Sequence, residues 1–217
     1  MPVHPSIAVT GVGAICSAGS TANEIWQSAA TGRLHAQWSG EGEHRSAVHR
    51  IAHLPTIDAD SPVNLRRADR CTKLALIATL EAARSAELRE RPVSPDRLGV
   101  IIGTSRGPVA TWDESSRRQS AGERQLPSLL VDGTLASLSG AISATFGARG
   151  MCLTVSATCA SAAHAIALGA EQLCSGLVDA VIVGGSDSPL QPALLEQFRE
   201  TRLLGTHDDP RRACRPF

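Results

Sequence analysis

The chain has 217 residues, 42 % of them hydrophobic and 19 % charged, which fits a soluble globular protein long enough to bury one substantial domain core. Lys plus Arg number 21 and Asp plus Glu number 21, so the formal net charge is zero, giving no support for a nucleic-acid or polybasic membrane surface. No apolar run reaches the about 18 residues expected of a transmembrane helix, and the N-terminal stretch lacks the basic opening of a secretory signal.

In chain order the pattern alternates strand and helix. Ser6 to Val12 is β-branched and apolar and reads as a buried strand. Thr21 to Thr31 reads as a helix, with Thr21 and Glu24 spaced as a capping box and Gly32 ending it. His35 to Asn64 is a long polar connection. Arg67 to Ala86 has apolar residues at helical spacing (Leu74, Ile77, Ala78 and Ala82). Leu98 to Ile102 is a strand, Val109 to Arg124 a loop or surface helix, and Leu126 to Phe146 a helix after Pro127. A short β-prone run, Cys152 to Ser156, precedes a helix reaching about Leu177, then a strand over Asp179 to Val183 and a helix over Pro192 to Leu204. Such alternation implies an α/β layer architecture with a mostly parallel sheet.

The six cysteines are Cys16, Cys71, Cys152, Cys159, Cys174 and Cys214. None forms a C-x-x-C pair, so they carry no zinc or redox signature and read as reduced cytoplasmic thiols. Cys159 is set apart by its context. It is expected at a buried strand-to-helix junction, where unpaired backbone N–H groups and the helix dipole favour a thiolate, the nucleophilic form of the side chain. The same N–H groups are suited to an oxyanion on a carbonyl attached to that sulfur. The helix that follows is apolar nearly all round, from Ala160 to Ala170. A single sheet covers only one face of it, so a further layer is expected over the other.

Thr158-Cys159-Ala160-Ser161, with His164 five residues past the cysteine, resembles the active-site signature of the β-ketoacyl-acyl carrier protein synthases, condensing enzymes of the thiolase superfamily. The likeness runs along nearly the whole chain. Ile7 to Gly13 is similar to the family's opening strand, Leu98 to Thr104 to its second strand, Phe146 to Gly150 to the turn before the cysteine strand, and Asp179 to Gly185 to the strand after the cysteine helix. Arg215-Pro216-Phe217 resembles the start of a further motif. The resemblance implies a thiolase-like fold, with residues 1–217 forming the N-terminal domain, one α-β-α half of a five-layered architecture. It also implies that Cys159 accepts an acyl group from acyl carrier protein. Malonyl-carrier protein then loses carbon dioxide, and its carbanion attacks the acyl-enzyme in a Claisen condensation. No cofactor and no metal are expected. The resemblance makes the Cys159 backbone N–H one oxyanion donor; in the family the second donor, two histidines and a lysine belong to the C-terminal half, so residues 1–217 alone are expected to hold the nucleophile but not the full constellation. A homodimer, or a heterodimer with a related subunit, is expected, with pairing near the cysteine strand. A non-catalytic structural partner subunit is the alternative, but Cys159 argues against it, because that subunit typically lacks the cysteine.

Other residues invite weaker readings. Gly11-Val12-Gly13 has Cys16 where a dinucleotide fingerprint needs glycine, and its glycines are better explained by a tight turn. His164 lies off the face of Cys159 at 100° per residue, so it reads as a satisfied buried or interface histidine rather than a base. The other histidines fall in termini or polar loops, and Lys73 reads as solvated. Arg106 stands where the elongating synthases carry an apolar residue lining the acyl pocket. It is therefore a candidate substrate-binding residue that shortens or polarises such a pocket; a surface arginine on a loop is the other reading.

Overall fold

The computed structural model describes residues 6–57 and 67–214. Arg215-Pro216-Phe217 and part of the polar connection after His35 lie outside the described residues. The chain divides into two compact units. One comprises Met1–Gly13 and Thr56–Ser188, the other Ala14–Pro55 and Pro189–Phe217.

The larger unit is a three-stranded parallel sheet with helices packed on it. β3 (Leu98–Gly103) is central, β4 (Cys152–Val155) pairs with one edge and β5 (Ala180–Gly185) with the other; β1 and β2 belong to the second unit. The register sets Ile101 opposite Leu153 and Val183. β3 is buried along its whole length, which explains its continuous apolar sequence, since a strand covered on both faces has no polar side to show. On one face lie α2 (Arg70–Ser85) and α5 (Ala136–Phe146), which close a core of Cys71, Leu76, Val100, Leu138 and Ile142. Asp69 caps α2: its carboxylate accepts the Cys71 N–H at 2.9 Å and both the N–H and hydroxyl of Thr111. Burial first, and the neighbouring Asp69 charge second, push the Cys71 thiol well above its ordinary value. α6 (Ser161–Cys174) packs against β3 and β5. The expected surface segment after Gly107 is a helix, α3 (Val109–Ser120), laced by pairs of Arg117 and Arg118 with Asp113 and Glu114.

Two expectations are corrected in this unit. Residues 6–12 are not a hydrogen-bonded strand. Residues 6–13 make no backbone hydrogen bond to another described residue. The glycines hold the segment flat against α2 instead: a Cβ on Gly11 would lie 2.1 Å from the Ala82 carbonyl oxygen, and one on Gly13 2.0 Å from that of Ala78. An apolar slot lined by Val9, Ile166, Val181 and Val183 separates the segment from β5, so no strand edge is within reach of its N–H and C=O groups. The helix expected over Leu126 to Phe146 is broken into α4 (Leu129–Asp132) and α5. The break falls at Gly133, whose carbonyl accepts the Trp112 indole N–H at 2.7 Å and is thereby withdrawn from helix bonding.

The smaller unit holds α1 (Ala22–Ala30), β1 (Gln37–Ser39), β2 (Ser46–Val48) and α7 (Pro192–Glu200). The Thr21 hydroxyl caps α1 by accepting the Glu24 N–H at 3.2 Å, and the Glu24 carboxylate accepts the Ser20 N–H at 2.7 Å. β1 and β2 form an antiparallel hairpin inside the stretch expected to be connection only. Arg199 of α7 stabilises it by donating to the Ser46 hydroxyl at 2.7 Å, and the Arg45 guanidinium lies 4.4 Å from the Trp38 ring centre.

The contact between α6 and the sheet has no space for a methyl group. A Cβ on Gly103 would sit 2.3 Å from the Ser161 carbonyl oxygen, whereas one on Gly140, inside α5, meets nothing within 4 Å. Gly103→Ala is expected to lower the unfolding free energy by about 1–3 kcal/mol, and Gly140→Ala to raise it by about 0.5–1 kcal/mol through the unfolded chain. Urea denaturation midpoints of the two variants check both signs.

Candidate active site

The site is built where β3, β4 and β5 end and α6 begins. Gly103 and Gly185, the last residues of β3 and β5, let the first turn of α6 approach closely: Cβ atoms on them would meet the Ser161 carbonyl oxygen and the Ala162 methyl at 2.3 and 2.7 Å. About two helical turns further on, a Cβ on Gly169 would meet Val183 at 2.4 Å. Ser161, Ala162 and Gly169 therefore lie on its sheet-facing side, and Ala165 between them is fully buried.

Between β4 and α6 the chain makes a tight turn over Ser156 to Ala160. Thr158 has φ +50°, in the left-handed region that β-branched residues avoid, immediately before Cys159. Such strain persists only where surrounding contacts over-determine it. Here the buried Ser161 hydroxyl supplies them: it accepts the Ala157 N–H at 2.9 Å and lies 2.6 Å from the Thr158 carbonyl and 3.1 Å from the Thr104 carbonyl. The Ala160 and Ser161 N–H groups are turned back on the carbonyls of Ala157 and Thr158. The N–H groups of Ala162 and Ala163 have no acceptor among the described residues and form the open start of α6.

Cys159 itself is exposed, not buried as the sequence suggests. The junction is where it is expected, but Ala160, Ala163, His164, Ile166 and Ala167 form an outward side of α6 that no described layer covers. His164 lies on that side, exposed and without a side-chain hydrogen bond to a described residue, so it is not a buried histidine. Lys73 is half-buried on α2 rather than fully solvated.

Arg106 is exposed on the loop after β3, whose Thr104, Gly107 and Pro108 are buried, and the Ser105 carbonyl beside it lies 3.5 Å from the Ser156 hydroxyl of the cysteine turn. What fixes this loop is not legible in the sequence around it. The Asp187 carboxylate, just past β5, accepts the Ser105 N–H at 2.9 Å, the Arg106 N–H at 3.0 Å and the Thr104 hydroxyl at 3.0 Å. Thr104 Oγ1 in turn accepts the Gly107 N–H at 2.9 Å, where φ is +68°. The only sequence signal was an acidic residue directly after a glycine-ended strand, too common a pattern to single out. Among the described residues no cluster of three or more His, Cys, Asp or Glu side chains is placed to hold a metal ion, and no helix is long and apolar enough to cross a membrane.

This arrangement of strand ends, strained turn and open helix start has relatives. Among curated proteins, the 3-oxoacyl-[acyl-carrier-protein] synthase 2 of Staphylococcus aureus strain COL is 28 % identical over 100 % of this chain and 54 % of its own length. The chain thus spans about half the length of the curated relatives it matches. Among solved structures, the ishigamide ketosynthase/chain length factor superposes with a TM-score of 0.76 at 22 % identity, over 93 % of this chain and 51 % of the other. A β-ketoacyl synthase from Burkholderia phymatum STM815 gives 0.73 at 24 %, over 96 % and 53 %. These structures share the thiolase-like fold with the chain. Residues 4–217 match the family model described as the β-ketoacyl synthase N-terminal domain, and the chain belongs to that family.

Proposed function

We propose that this chain supplies the nucleophilic half of a cytoplasmic condensing enzyme of fatty-acid or polyketide synthesis, with Cys159 accepting an acyl group from acyl carrier protein. The observation that carries this reading is the strained turn at Thr158, which places an exposed cysteine two residues before the first turn of α6, where the Ala162 and Ala163 N–H groups have no acceptor among the described residues. The thiolate attacks the thioester carbonyl, and charge develops on its oxygen where helix N–H groups stabilise it. The carrier thiol leaves, and the acyl chain stays on the sulfur. Decarboxylation of malonyl-carrier protein and attack of its carbanion would follow, using groups from outside residues 1–217.

Exposure alone does not mark the nucleophile, because Cys152 and Cys174 are exposed as well. In the full two-half enzyme, Cys159→Ser should abolish covalent loading from an acyl-carrier thioester, while Cys152→Ser and Cys174→Ser should load as the parent does. Intact mass reads the acyl adduct; undiminished loading of the Cys159 variant would rule the reading out.

Arg106 is proposed to limit the acyl chain. Each methylene buried in an apolar slot is worth about 0.8 kcal/mol, and a guanidinium lining the slot removes that gain and adds a desolvation cost. The parent should load short or polar acyl groups faster than long saturated ones, and Arg106→Ile should extend the accepted length. Equal loading rates for long chains before and after the substitution would leave Arg106 as a surface loop residue.

Assembly is proposed through β4. This strand pairs only with β3 among the described strands, and Met151 and Leu153 along it are exposed, so its free edge is open to a second strand. A homodimer, or a heterodimer with a related synthase subunit, would cover it. Light scattering at micromolar concentration should show a dimer of the chain alone; a clean monomer would exclude the homodimer.

A further inference from the structure

We infer that Asp187 is a positioning residue for the nucleophile, a carboxylate brace that locks the loop after β3 and, through it, the turn that carries Cys159. The inference rests on the reading of Cys159 as the acyl acceptor and adds the device that holds it in place.

Asp187 is exposed. An exposed carboxylate with no structural task is satisfied by water, yet both oxygens of this one are engaged by protein donors on a loop 81–83 residues earlier in the chain. Two consecutive backbone N–H groups, of Ser105 and Arg106, converge on it together with the Thr104 hydroxyl. Consecutive amides directed at one anion form a small anion-binding concavity, and hydrogen bonds to a charged acceptor are stronger than neutral ones. The brace thereby fixes the peptide planes of residues 104–106.

That loop is the far wall of the cysteine turn. The Thr104 carbonyl is 3.1 Å from the Ser161 hydroxyl, the group that accepts the Ala157 N–H and sits against the Thr158 carbonyl. The chain of contact runs from Asp187 to Thr104, from Thr104 to Ser161, and from Ser161 to the residues on either side of the left-handed Thr158. A non-glycine residue in that conformation reverts once its surroundings loosen. Release of the loop therefore lets the turn relax and changes where the thiol sits relative to the start of α6. The Arg106 peptide is held by the same carboxylate, so one brace sets both the nucleophile and the residue proposed to limit the acyl chain.

The test uses the 217-residue chain and iodoacetamide. The alkylation rate of each cysteine is followed by peptide mass spectrometry as a function of pH in the parent, Asp187→Ala, Asp187→Asn and Asp187→Glu. Buried Cys71 serves as the marker of folding, and amide hydrogen exchange at Ser105 and Arg106 reads the brace directly. In Asp187→Ala the protection of those two amides should be lost and Cys159 alkylation should slow by roughly tenfold or more across the pH range. Cys152, Cys174 and Cys71 should be unchanged. Asp187→Asn, which keeps one oxygen acceptor, should fall between, and Asp187→Glu should recover most of the loss. Faster alkylation of Cys159 in both the Ala and Asn variants would show that Asp187 acts by its charge and overturn the brace. So would an unchanged Cys159 profile with Cys71 still protected. If Asp187→Ala exposes Cys71, the Asn and Glu variants decide alone: no graded slowing of Cys159 between them overturns the proposal. Failure of the nucleophile reading looks different. The parent would then alkylate Cys159 no faster than Cys152, while exchange at Ser105 and Arg106 would still respond to Asp187→Ala.

Discussion

The site depends on how closely α6 approaches the ends of the sheet. Three glycines, two at strand ends and one in the helix, remove the side chains that would keep the helix at ordinary distance. Close approach brings the Ser161 hydroxyl within reach of the loop after β3, and that reach ties the cysteine turn to the sheet. A helix one methyl group further out would keep its apolar sequence and still bury Ala165, but Ser161 would lose Thr104. The strain at Thr158 would then have nothing to maintain it. Packing at the back of the helix therefore sets the geometry in front of the thiol.

The cysteines illustrate how one residue type is divided by environment. Cys71 lies in the core beside a capping carboxylate, where desolvation and negative charge both oppose ionisation. Cys159 is accessible and lies just before α6, whose Ala162 and Ala163 N–H groups have no acceptor among the described residues. The first environment makes an inert packing residue and the second is suited to nucleophilic chemistry, and the distinction lies in backbone direction and burial rather than in the side chain.

Much of this was legible in the sequence wherever the signal was local. The capping pair Thr21 and Glu24, the apolar run of β3, the stripe of α2, the alanine-rich α6 and the junction at Cys159 are each written within a few neighbouring residues. What escaped was set by partners far away. The Ser6–Val12 stretch has the composition of a strand, yet a strand is defined by its neighbour, and the edge of β5 stands across an apolar slot. The β1–β2 hairpin is held by Arg199, about 150 residues from Ser46. Cys159 was expected at a buried strand-to-helix junction and its helix under a further layer, but burial needs that layer, and none is present among the described residues. Asp187 gave no sign because its three donors lie on another loop, and an isolated acidic residue after a strand has many ordinary explanations.

The order of strands in the sheet has a consequence for how the chain reaches its folded state. β3 is central and fully apolar, and it is synthesised before either flanking strand. Its partner on one side, β5, follows 82 residues later, counting from Ile101 to Val183. At about 5–20 residues per second this leaves a continuous apolar strand without its second neighbour for on the order of ten seconds. Parallel pairing over such separations also carries the loop-closure entropy that slows folding. During that interval α2 is the helix already made, and Cys71, Leu76 and Val100 share one cluster. Docking of β3 on α2 before the sheet exists would shield the strand in the nascent chain and shape the early folding route.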